Sequence, residues 1–192
     1  DDFHLISQGL TGTAITNISG SGSNFIVSLE TGTGEGTLRL ELIDKDTIMD
    51  LAQNPLGGPG LGNGDFVSGE VYTVDKIPPN VASITRLNPT PNNAQTVDFS
   101  VTFSEPVSGV EDDDFHLISQ GLTGLTIINI SGSGPSYTVN VDTGTGSGTL
   151  NLKLVDNDSI FDTAKNTLGG PGLGNIAGSQ CDYYQSTRGG GH

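Results

Sequence analysis

The stretch Asp1-Asp2-Phe3-His4-Leu5-Ile6-Ser7-Gln8-Gly9-Leu10-Thr11-Gly12 returns letter for letter at Asp113–Gly124. The offset of 112 continues without a gap: Asn17–Gly22 matches Asn129–Gly134, and Leu56–Asn63 matches Leu168–Asn175. Of the 63 positions in 1–63, 43 are identical in 113–175. A gapless match of that length means tandem copies of one structural unit.

The period inside the unit is that of strands. Val97-Asp98-Phe99-Ser100-Val101-Thr102-Phe103 alternates strictly, as do Tyr137, Val139 and Val141, and then Leu150, Leu152 and Leu154. Their partners in the first copy are Phe25, Val27 and Leu29, then Leu38, Leu40 and Leu42. Such runs put one face on a core and the other in water. Clusters such as Ser131-Gly132-Ser133-Gly134 and Thr143-Gly144-Thr145-Gly146 separate them and read as hairpin loops. No amphipathic helix is legible. The fold class expected is all-β, with tandem immunoglobulin-like β-sandwiches, the first one incomplete.

Ile77-Pro78-Pro79-Asn80 sets the boundary, because two prolines fix φ and remove two donors. Residues 78–192 then form a complete repeat with a divergent C-terminal tail. Its strands are expected near 81–86, 95–103, 114–118, 124–130, 136–142, 149–155 and 181–187. Residues 1–77 form a partial repeat that begins at the equivalent of 113 and lacks the first two strands. Without them, Phe25, Val27, Leu29, Leu38, Leu40 and Leu42 are expected to face an open groove. Strands from a neighbouring subunit, or upstream residues of a longer array, would fill it.

Composition narrows the function. The chain has 192 residues, 7 Lys+Arg against 22 Asp+Glu, a formal charge of −15, and no Trp. A polyanion would be repelled, so nucleic acid is excluded as a partner. No apolar run approaches the length of a membrane span, so no membrane insertion is expected, and the Asp1-Asp2-Phe3-His4 start is no signal peptide. Cys181 is alone and forms no internal disulfide. Excess acid with few bases points to extracellular, calcium-rich or saline surroundings.

Several phrases together carry a resemblance. They are Ile77-Pro78-Pro79, Val101-Thr102-Phe103-Ser104-Glu105-Pro106-Val107, Asp113-Asp114-Phe115, and Leu154-Val155-Asp156-Asn157-Asp158-Ser159-Ile160. Leu168-Gly169-Gly170 follows, and Glu70-Val71-Tyr72-Thr73-Val74-Asp75-Lys76 closes the first copy. Residues 1–175 thereby resemble the bacterial Ig-like, cadherin-like tandem repeats of large secreted surface proteins and adhesins. The resemblance implies an extracellular, non-enzymatic module serving as spacer, stalk or binding element. Ser179–His192 departs from the pattern, although Asp182-Tyr183-Tyr184-Gln185 can stand in for Glu70-Val71-Tyr72-Thr73 as a last strand.

Two sets of acids are candidate calcium sites. Asp44, Asp46 and Asp50, echoed by Asp156, Asp158 and Asp162, sit at loop positions 1, 3 and 7 and offer oxygens to a hard cation. The EF-hand glycine and bidentate glutamate are missing, so the alternative is a loop whose aspartates cap its own turns. The second set is Glu105, Glu111, Asp112, Asp113 and Asp114, with the linker acid Asp75. Four acids in a row repel one another unless a cation or open water relieves them. Cadherin-like proteins place calcium at domain junctions, so the resemblance implies the same here. The competing reading is a solvated charge run.

Other motifs carry less. His4 and His116 are equivalent strand residues with no second ligand nearby, which reads as structural rather than zinc-binding. The glycine clusters lack the lysine of a phosphate loop. Asn17 and Asn129 head equivalent N-glycosylation sequons, and Asn157-Asp158-Ser159 is another. No nucleophile motif is visible, and an enzyme has little use for an active site copied 112 residues on. The expectation is a structural module of a cell-surface protein or filament, partnered by copies of itself or neighbouring repeats. The alternatives are a calcium-dependent adhesin and a carbohydrate-binding module on a secreted enzyme, the last disfavoured by the absence of Trp.

Overall fold

The computed structural model describes residues 2–174 and the backbone of 184–187. The chain divides into Asp1–Ile77 and Pro78–His192. Both are all-β; the one helical element among the described residues is a 3₁₀ turn at Asp112–Asp114.

In the second unit the alternation at 97–103 becomes a core. Val97, Phe99, Val101 and Phe103 are each at most 2% exposed, while the intervening Asp98, Ser100 and Thr102 are only half-buried. They belong to β7, which runs Thr96–Ser108. Preceding elements are β1 (Phe3–Gln8), β2 (Ala14–Ser21), β3 (Asn24–Glu30), β4 (Gly36–Leu42), β5 (Val71–Val74) and β6 (Val81–Arg86). After it come β8 (Phe115–Thr123), β9 (Thr126–Asp142), β10 (Thr145–Leu154), β11 (Phe161–Asp162) and β12 (Tyr184–Thr187).

One sheet of the second unit has the order β11-β7-β6, with β9 also on β7; the other is β12-β10-β8. All the named pairings are antiparallel. Val139 and Val141 from the first sheet and Leu150, Leu152 and Leu154 from the second are at most 2% exposed. They join the β7 residues and Ile160 and Leu168 in one apolar cluster, which makes this unit a two-layer β-sandwich. Phe103 meets Tyr137 edge-on at 5.9 Å, with the rings at 87°, and Tyr137 Oη donates to the Val107 carbonyl at 2.9 Å.

The first unit has two smaller sheets, β1-β4-β5 and β2-β3. The register follows the repeat. Phe3 pairs with Leu42 as Phe115 pairs with Leu154, and Leu38 faces Tyr72 as Leu150 faces Tyr184. The proposed replacement strand at 182–185 is thus realised in backbone register at Tyr184–Thr187. The rest of the tail, with Cys181 and His192, lies outside the described residues. Gly32 and Gly144 show why the loops keep glycine. Both have φ near +60° (65° and 61°), and a Cβ on either would stand 2.0 Å from the carbonyl oxygen of Thr11 or Thr123.

The second unit also holds strands with no counterpart in the first: β6, β7 and the two-residue β11. The sequence expected separate strands at 124–130 and 136–142; β9 runs through both. The carbonyl of Gly169's partner Pro79 fixes the start of the unit: Gly169 N–H donates to Pro79 O at 2.9 Å.

Candidate functional site

The two acidic loops are built alike, bond for bond. Asp44 Oδ1 accepts the Asp46 N–H at 3.0 Å, and Asp156 Oδ1 accepts that of Asp158 at 3.1 Å. Both oxygens of Asp46 accept the Gly60 N–H, and both of Asp158 accept that of Gly172. Asp50 accepts from the backbone and side chain of Asn54, as Asp162 does from Asn166. Asp46 and Asp158 sit at φ of 59° and 63°, a region that short polar residues tolerate. These carboxylates therefore tie three separate turns. Within neither loop do three of them converge on one point among the described residues.

Burial separates the copies. Asp44 and Asp156 are buried in both loops, at 2% and 5% exposure, but Asp162 is 2% exposed while its equivalent Asp50 is open to solvent. β11, which contains Asp162, pairs with Val107 and Ser108 of β7; Met49-Asp50 has no such strand. Asp50 is held below the ordinary carboxylate range, chiefly by the Asn54 side chain and then by its backbone N–H.

The second acidic set is split by the fold. Glu111, Asp112 and Asp113 are exposed, whereas Asp114 is fully buried. Asp114 Oδ2 accepts the Glu111 N–H at 2.7 Å and Oδ1 accepts the Ser159 hydroxyl. Burial raises its pKa above the ordinary value; the Ser159 and Glu111 bonds oppose the rise, and Asp113 adds to it. The first unit repeats this tie, with Thr47 Oγ1 donating to Asp2 Oδ1 at 2.6 Å. Sequence reasoning read Asp114 as one of a run and missed its separate role; the Ser/Thr at equivalent positions 47 and 159 was the available signal. Glu105, half-buried, comes within 4.8 Å of Asp162, carboxylate to carboxylate, inside the second unit. Asp75 lies just beyond β5 of the first unit and accepts the Ile77 N–H at 3.0 Å.

His4 and His116 are exposed strand residues opposite Glu41 and Lys153. Asn17 and Asn129 are exposed on β2 and β9. Asn157 is also exposed and caps a turn by accepting the Ser159 N–H at 2.9 Å.

The largest difference between the copies is apolar. Phe115, Val139, Leu152, Leu154, Ile160 and Leu168 are each at most 4% exposed in the second unit. The identical residues Phe3, Val27, Leu40, Leu42 and Ile48 are only half-buried in the first, and Leu56 is 36% exposed against 0% for Leu168. Leu38 and Leu150, by contrast, are buried in both. Two depressions open on this face. One of about 710 Å³ is lined by Phe3, Ile18, Phe25, Ile48, Met49 and Leu56. The other, of about 410 Å³, is lined by Leu29, Leu38, Leu40, Leu42 and Phe66. In the second unit Phe115, Val139, Leu152, Leu154, Ile160 and Leu168 join one apolar cluster with Val97, Phe99, Val101 and Phe103 of β7.

Comparison with family models, curated proteins and solved structures returns no match. The functional reading rests on the chain itself.

Proposed function

We propose that this chain is a non-enzymatic structural module of an extracellular cell-surface protein or filament. The observation that carries the reading is duplication at the level of single hydrogen bonds. The Asp44–Asp46, Asp46–Gly60, Asp50–Asn54 and Asp2–Thr47 ties recur 112 residues on. Polar residues that recur with the same partners serve the fold of each copy, and a stack of such copies is how repeat proteins make length. The division of strands into β6-β7-β9 and β8-β10-β12 supports the Ig-like reading, since it matches strands A-B-E and C-F-G of a constant-type immunoglobulin sandwich. Pro78-Pro79 suits a stiff join. Immunogold electron microscopy of the source cells tests the location: label along surface projections is expected, and label confined to the cell interior would overturn the proposal.

Calcium is a second part of this reading, favoured by the approach of Glu105 to Asp162, two carboxylates whose repulsion a divalent cation relieves. Binding to the folded state alone would stabilise it by about 2.7 kcal/mol at calcium one hundred times the dissociation constant. Unfolding midpoints that coincide in excess calcium and in chelator would remove it.

A further inference from the structure

The chain holds one Asn-Gly pair, Asn63-Gly64. It lies in the 57–65 loop of the first unit, and Asn63 is exposed. The loop tip is open in both units, since the equivalent Leu61 and Leu173 are 77% and 75% exposed. Asp44, only 2% exposed, holds this loop on either side of Asn63. The Gly62 N–H donates to the Asp44 backbone carbonyl at 3.1 Å, and the Gly64 N–H donates to Asp44 Oδ2 at 3.2 Å. Asn63 itself donates from Nδ2 to the Gly58 carbonyl at 3.0 Å.

We infer that Asn63-Gly64 is a self-modifying bond whose conversion to isoaspartate releases the loop from Asp44. Gly64 has no side chain to hinder approach of its nitrogen to the Asn63 carboxamide. A bond forms from the Gly64 nitrogen to Asn63 Cγ, and the Cγ–Nδ2 bond breaks. The Gly64 amide proton leaves with Nδ2 as ammonia, and a cyclic succinimide remains. Water then opens the ring at either carbonyl. Cleavage between the nitrogen and Cγ gives aspartate in an ordinary main chain. Cleavage between the nitrogen and the Asn63 backbone carbonyl carbon gives isoaspartate, whose main chain runs through Cγ. In the succinimide the Gly64 nitrogen has no proton, so the buried Asp44 carboxylate loses a donor. In isoaspartate the main chain between the Gly62 and Gly64 N–H groups is one carbon longer, and the two attachments to Asp44 no longer fit together. The Nδ2 bond to Gly58 is lost with the ammonia. The second unit carries Asn175-Ile176 at the equivalent place, where a β-branched side chain crowds the attacking nitrogen. The change is therefore confined to one copy, and loss of ammonia makes it one-way.

The test incubates the 192-residue chain at mildly alkaline pH and follows amide-to-acid conversion by peptide mapping, with isoaspartate read by enzymatic methylation. Asn63 should convert at least about tenfold faster than Asn175, with isoaspartate among the products. In the converted chain, hydrogen exchange over 57–65 should be at least roughly tenfold faster, while 168–174 stays within about twofold. Freshly prepared Asn63→Asp adds the charge without lengthening the main chain, and should speed exchange over 57–65 by no more than about threefold. The inference is overturned if Asn63 converts no faster than Asn175, or if aspartate is the sole product. It is also overturned if conversion leaves exchange over 57–65 unchanged, or if Asn63→Asp loosens the loop as much as conversion does.

Discussion

Leu40 and Leu152 are the same residue at the same repeat position, yet Leu152 is fully buried and Leu40 half-buried. Truncating each to alanine turns that difference into a measurement. At Leu152 three carbons leave a closed core: the transfer loss is about 2.4 kcal/mol at ~0.8 per methylene. The cavity left behind brings the total to about 3–5 kcal/mol. At Leu40 the side chain already borders an open depression, so no closed cavity forms and roughly half the transfer loss remains, about 1 kcal/mol. Leu38 and Leu150, at 1% and 0% exposure, serve as references, and each should cost about 3 kcal/mol when truncated. Two units need not unfold together, so one midpoint would not report both. Native-state hydrogen exchange, read separately on β4 and β10, gives a free energy for each. The reasoning is refuted if Leu40→Ala costs as much as Leu38→Ala within the first unit.

Three further outcomes follow from single residues. Val101→Asp, which puts a charge among apolar partners, should cost at least about 3 kcal/mol in denaturant unfolding of the second unit, while Thr102→Asp on the other face should cost under about 1; equal losses would mean the β7 register is wrong. Gly144→Ala should cost more than ~1 kcal/mol, because its Cβ would stand 2.0 Å from the Thr123 carbonyl oxygen at φ 61°. Gly124→Ala, at φ 75° but with nothing near, should cost less, and the reverse order would refute the contact argument. Burial raises the Asp114 carboxyl above its unfolded value, so between the two values the folded state binds the more protons. This group's stabilising contribution is therefore full below the unfolded value and is lost as pH rises through the folded one. Asp114→Asn should flatten that part of the stability–pH curve of the second unit; an unchanged slope would refute the assignment.

The alternations at 97–103 and 150–154 were enough to place the second sandwich, because period-2 burial is a local property and side chains there had no competing use. The repeat boundary was equally legible, since Pro78-Pro79 removes two ladder donors. What local reading could not reach was cover. Asp50 and Asp162 sit in nearly the same sequence and accept the same bonds from Asn54 and Asn166, yet one is open to solvent and the other buried. The acid run at 111–114 misled for a related reason: three members face water, and the fourth turns inward to Ser159, a contact 45 residues away. In both cases the deciding neighbour is distant in sequence. For Asp162 it is β7, whose Val107 and Ser108 pair with the short β11 that carries it. That gives the repeat its physical content. Two nearly identical segments keep the same internal hydrogen bonds although their apolar side chains differ in exposure. The ties within the loops and the closure of the core are therefore set by different contacts: the first by neighbours inside the copied segment, the second by residues outside it.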